Sequence, residues 1–156
     1  MTRTVYLAVF TNGSKPAHWS IWIPTAGQDR TGKLIHVTGN PATGFFLEFK
    51  RNFDRDHDID FTETEHRIVP LGQVTDGNVK DLAPTAPQTR DTTARDRLES
   101  LATTVVPPGR SANPFDPAAL NCQDWIEEFI EKLIAEDVID AAVRATLQEA
   151  PRRLRS

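Results

Sequence analysis

The chain has one cysteine, one methionine and one tyrosine among its 156 residues. No apolar run approaches the ~20 residues that cross a bilayer. A single cysteine excludes an intramolecular disulfide and makes a cysteine-built metal centre implausible. Stability must therefore come from a hydrophobic core, which a chain of this length sustains as one domain spanning 1–156. No cluster of Lys and Arg stands clear of Asp and Glu, and the formal charge is −4. Nucleic acid is not an expected partner. The one basic group, "PRRLRS" at Pro151–Ser156, reads as a solvated, frayed tail. The opening "MTRTVYLAVFTNGSK" lacks a cleavage pattern for secretion. These features point to a soluble cytoplasmic protein with a reduced thiol, no membrane partner, no metal and no cofactor.

The first half is patterned as strands. "TVYLAVF" (Thr4–Phe10), "HWSIWIP" (His18–Pro24), "KLIHVTG" (Lys33–Gly39) and "FFLEFKRNF" (Phe45–Phe53) are rich in β-formers and separated by turn-forming stretches. "HRIVPLGQV" (His66–Val74) is a fifth, with Pro70 pointing to an edge or a bulge. Connections this short favour an antiparallel meander. "DRDHDIDFTETE" between the fourth and fifth strands is acidic and reads as an exposed loop, with His57 as a solvated residue; it lacks the glycine of a calcium loop.

The second half changes character. A loop or linker covers about 75–93, and a proline-rich loop about 105–120. Ala94, Leu98 and Leu101 stand at helical spacing in "TARDRLESLATTV". The strongest helical pattern follows Asn121, where Trp125, Ile126, Phe129, Ile130, Leu133 and Ile134 form one apolar stripe. A last amphipathic segment, "EDVIDAAVRATLQEA", ends at Pro151. The predicted fold is α+β, an antiparallel sheet of about five strands packed with helices.

Three residues carry candidate chemistry. Asn121 is a favoured N-cap and Asp124 can close a capping box, so Cys122 falls in the first turn of its helix. Unpaired N–H groups and the helix dipole favour a thiolate there. Unpaired cysteine is also often a small buried hydrophobe, and on position in the helix alone that is the commoner reading of Cys122. His18 and His36 each interrupt an apolar strand. Alternation puts His18, Ser20 and Trp22 on one face, and Leu34, His36 and Thr38 on one face of the next strand. A hairpin would bring the two imidazoles within hydrogen-bonding reach. Trp19, Trp22 and Trp125 can line a pocket or fill the core.

The order "HWSIWIP", "LIHVTG", then "NCQDW" opening a late helix resembles the circularly permuted papain-like fold, the NlpC-related group that includes lecithin retinol acyltransferase-like proteins and PPPDE-type peptidases. It also resembles small fungal proteins to which no activity attaches. The first resemblance implies a catalytic set in which Cys122 is the nucleophile, His18 its general base and His36 the residue that orients His18. The backbone N–H of Cys122 would then donate to the oxyanion. Gln123 and Asp124 stand where a glutamate and a histidine commonly follow the cysteine in that group. The expected function is cysteine-dependent acyl transfer (peptidase, amidase or acyltransferase) on a small-molecule or peptide acyl substrate. The alternative is a catalytically inactive binding module on the same fold, holding a small ligand or peptide.

Overall fold

Six strands form a single antiparallel sheet in the computed structural model, which describes residues 2–13, 15–55, 65–83, 85–116 and 118–153. They are β1 (Thr2–Phe10), β2 (His18–Pro24), β3 (Thr31–Asn40), β4 (Gly44–Asp54), β5 (His66–Thr75) and β6 (Thr89–Asp91). Their order across the sheet is β5-β1-β2-β3-β4-β6. Three helices follow: α1 (Arg97–Thr103), α2 (Cys122–Ala135) and α3 (Val143–Glu149). His57 and the acidic stretch 56–64 lie outside the described residues.

The sheet has one strand more than the sequence pattern predicts. β6, with a 3-10 turn at Asp76–Asn78, lies inside the stretch expected to be loop. At three residues it is too short for a periodic signal, and it exists because Thr89, Arg90 and Asp91 pair with Arg51, Lys50 and Phe49. β5 is an edge strand, as Pro70 suggests. Its register against β1 shifts where Val5 pairs with Gly72 and Tyr6 with Pro70, so Leu71 is the extra residue of a bulge. The β3–β4 hairpin turns on Gly39 and Gly44, both at positive φ; a Cβ on Gly39 would sit 2.1 Å from the Gly44 carbonyl oxygen.

Side-chain alternation gives the sheet two unlike faces. One presents Val5, Leu7 and Val9 from β1, Trp19, Ile21 and Ile23 from β2, Ile35 and Val37 from β3, and Phe49 from β4. The stripe of α2 packs here through Trp125, Ile126, Phe129, Ile130 and Leu133, all buried. Burial of each such side chain contributes roughly 1.5–3 kcal/mol. Trp125 stacks on Phe129 at 5.1 Å and donates its indole N–H to the Val105 carbonyl. All three tryptophans are buried at 1% exposure or less, so they are core residues.

Two cations are also buried on the helical side. Lys33 donates to Asp96 at 2.7 Å and to Glu99 at 2.9 Å, and Arg51 donates to Glu99 at 2.6 Å and to Asp91 at 2.7 Å. Glu99 is fully buried. Burial pushes its carboxyl upward, but Arg51 and Lys33 together outweigh that and hold it below the usual carboxylate range. This network clamps α1 onto β3 and β4.

The tail expected to fray is instead docked at its first residues. Ala17 N–H donates to the Arg152 carbonyl at 2.8 Å, and the Trp19 indole N–H donates to Pro151 at 2.9 Å. The Arg152 guanidinium lies 4.5 Å from the Trp19 ring centroid.

Candidate functional site

Apart from Lys33 and Arg51, β2, β3 and β4 carry polar side chains on the face away from the helices, and three rows of side chains result. Phe10 stands beside His18 at one end. Ala8 pairs with Ser20, and His36 with Glu48, in the middle row. Tyr6 pairs with Trp22, Trp22 with Leu34, Leu34 with Lys50, and Lys50 with Arg90 in the last. Ala8, Phe10, Trp22 and Leu34 form a second, smaller apolar cluster here, separate from the main core. Polar residues set into that cluster line a cavity of about 400 Å³, bounded by Phe10, His18, Ser20, His36, Lys50 and Arg90 among others.

The two histidines meet as their strand positions predict. His18 Nε2 lies 3.0 Å from His36 Nδ1, with the rings edge to face at 5.1 Å between centroids. Ser20 Oγ completes a triangle, 3.2 Å from His18 Nε2 and 3.0 Å from His36 Nδ1. On its far side His36 Nε2 sits 3.0 Å from Glu48 Oε1. A carboxylate only accepts, so His36 carries its proton on Nε2. The Nδ1 of a neutral His36 ring then accepts from His18 or Ser20. The hydrogen bond from His36 holds the Glu48 carboxyl below its ordinary range, with Lys50 and Arg90 adding to the effect and burial opposing it.

Cys122 is placed differently. Its helix start is as the sequence predicts: Asn121 Oδ1 accepts from Gln123 N–H at 2.9 Å, and Asp124 accepts from Asn121 N–H at 2.8 Å. The thiol, however, belongs to the main core with Trp19 and Trp125. Sγ accepts from the Trp19 N–H at 3.5 Å and lies 3.9 Å from the Ala17 carbonyl oxygen. Burial, opposed by that Trp19 N–H, pushes its pKa up to about 11. Gln123 and the docked Pro151–Arg152 segment close over the same spot, with Gln123 Nε2 donating to the carbonyls of Ala17 and Arg152. His18 follows Ala17 and precedes Trp19, but its ring projects to the opposite face of the sheet. The structure thus brings His18 and His36 together and leaves Cys122 on the other side. Tyr6 lies on the histidine face as well.

Glu48, Lys50 and Arg90 are site residues that sequence reasoning did not single out. A signal for two of them exists in "FFLEFKR", where Phe46, Glu48 and Lys50 alternate against Phe45, Leu47 and Phe49. Among the described residues, no group of three His, Cys, Asp or Glu side chains could hold a metal ion. Among the described residues, no helix is long and apolar enough to cross a membrane.

Fold and site together define the class: an α+β domain whose antiparallel sheet carries helices on one face and a two-histidine cavity on the other. The chain belongs to DUF6540, a family of unknown function whose pattern matches residues 5–140. No curated protein and no solved structure matches it.

Proposed function

We propose that this chain is a non-catalytic binding module on a permuted papain-like scaffold, with its ligand site in the cavity of the helix-free face. The order of an early histidine strand, a second histidine strand and a late helix opened by Asn-Cys supports the scaffold assignment. One observation carries the functional reading. The only thiol is buried and protonated on the helical face, while the polar groups that could hold a ligand converge on the other. A ligand there meets Ser20, the two imidazoles, Thr38, Lys50 and Arg90, with apolar walls at Phe10 and Leu34. Such a mix of apolar wall and few convergent polar groups is typical of small-ligand sites.

An NMR fragment screen on the labelled protein tests this. Hits should perturb amides of β2, β3 and β4 around Ser20, His36 and Glu48, and should be lost in Ser20→Val. A screen whose hits all map elsewhere would count against the reading.

A second reading is cysteine-dependent acyl transfer through Cys122, His18 and His36. It draws support from the capped helix start at Cys122 and from the short distance between Sγ and the β2 backbone next to His18. It requires the thiol and the His18 ring to reach a common side of the sheet. Turnover of acyl or peptide probes that is abolished in both Cys122→Ala and His18→Ala would establish it over the binding module.

A further inference from the structure

We infer that the groove at the start of α2, which Pro151 and Arg152 of the chain itself fill, is a docking site for an extended segment of a partner protein that carries a proline followed by an arginine. The groove lies on the helical side of the sheet, so the site is independent of the cavity on the other face.

The groove is built of donors on rigid elements. Ala17 N–H, immediately before β2, the Trp19 indole N–H and Gln123 Nε2 all point into it, and all three residues are buried. Gln123 is held ready by a second bond, from Nε2 to the Ala17 carbonyl at 2.9 Å. Buried donors need acceptors, and two consecutive carbonyls supply them. Pro151 accepts from the indole at 2.9 Å, and Arg152 accepts from Ala17 and from Gln123, each at 2.8 Å. Any extended backbone can offer such carbonyls. Proline suits the place, since its φ is preset and it has no N–H to leave stranded.

Side chains supply the choice of residue. Gln123 and Glu127 are four apart on α2 and share one face. The Arg152 guanidinium lies over the Trp19 ring at 4.5 Å and pairs with the Glu127 carboxylate. An aromatic face with a carboxylate beside it suits a planar cation, which arginine provides and lysine does not.

The present occupant is loosely held. The two side chains of the ion pair are 44% and 41% exposed, which leaves the pair little net stabilisation. The remaining contacts are set against the entropy of ordering the segment. Ala17, Trp19, Gln123 and Glu127 lie inside the stretch that matches the family, 5–140, whereas Pro151 and Arg152 lie outside it. The chain's own segment thus acts as a tethered competitor that a partner's segment displaces.

The test is an amide-shift titration of the full chain with acetyl-Ala-Pro-Arg-Arg-amide, which copies residues 150–153, in wild type and in Arg152→Ala. Arg152 is exposed, and circular dichroism checks that the variant is folded. In the variant the Trp19 indole and Ala17 N–H signals should shift as the tethered segment leaves. Peptide at roughly millimolar concentration, the range a short tether itself provides, should then restore them. Binding to wild type should be at least about tenfold weaker, and a peptide with alanine in place of its first arginine should lose about tenfold on the variant. Unmoved indole and Ala17 signals in Arg152→Ala would overturn the arginine-reading groove. So would a vacated groove that the peptide fails to refill. Signals in wild type that change with protein concentration, without peptide, would assign the groove to a second copy of this chain instead.

Discussion

Alkylation of Cys122 by iodoacetamide separates the binding module from the enzyme reading. The thiol, buried against Trp19 N–H and Ala17, has its pKa pushed up to about 11. At about pH 8 such a group is ~0.1% thiolate, whereas a free cysteine with a pKa of ~8.5 is ~24% ionised. The native protein should therefore react ~200-fold more slowly than the chain unfolded in denaturant, before steric shielding is counted. Its rate should keep rising with pH well beyond neutrality, and His18→Ala should leave the profile unchanged, because that ring faces the other side of the sheet. Mass spectrometry of quenched samples across a pH series gives the rate directly, since no second cysteine competes. A rate plateau near neutral pH that disappears in His18→Ala would refute the reasoning and restore a thiolate–imidazolium pair.

Further predictions address the parts that hold the two faces in place. Glu99→Leu leaves Lys33 and Arg51 buried with less compensation, and should destabilise by ~3–5 kcal/mol, a fall in Tm of ~6–20 °C for a chain of this size. Thermal unfolding followed by circular dichroism measures it. Replacing all three with apolar residues should recover much of the loss. The folded carboxyl of Glu99 is held below its unfolded value, so its contribution is fully present above the unfolded pKa of ~4.3 and is lost as pH falls through the lower, folded value. Urea midpoints measured on the acid side should decline less steeply in Glu99→Gln than in wild type. Gly39→Ala would set a methyl 2.1 Å from the Gly44 carbonyl oxygen and should cost at least ~1–3 kcal/mol in a urea titration. Deletion after Ala150 removes the acceptors of Ala17 N–H and the Trp19 indole and one of the two acceptors of Gln123 Nε2, and should cost ~1–3 kcal/mol while speeding Cys122 alkylation in the native state.

Much of the site was legible as strand parity, and the rest was lost by following parity only halfway. Alternation in "HWSIWIP" and "LIHVTG" correctly puts His18 and His36 on one face of neighbouring strands, and they lie 3.0 Å apart. The same alternation puts Trp19, Ile21 and Ile23 on the reverse of β2, and Ile35 and Val37 on the reverse of β3. That is the more apolar face, so the helix carrying Trp125 and Phe129 must pack on it. Cys122 shares that helix face and goes with it, away from the histidines. The capping signals at Asn121 were readable because they are local. Arg90 was not, because β6 is only three residues long and its place beside Lys50 depends on pairing across 40 residues of chain. Glu99 was equally hidden: an acidic residue in a helix reads as solvated until the two cations opposite it are known.

The sheet order has a consequence for how this protein is made. Strands β1 to β4 form a continuous meander that is complete at Asp54, but the helix that covers their apolar face ends only at Ala135. At ~5–20 residues per second, synthesis leaves Trp19, Ile21, Ile35 and Phe49 without their lid for ~4–16 s. Early in that interval the nascent chain presents a half-built sheet with both edges open, until β5 is complete at Thr75 and β6 at Asp91 on opposite sides. A fragment ending at Asp54 is therefore expected to aggregate or to be held by chaperones. The full chain, with that helix in place, is expected to escape this fate.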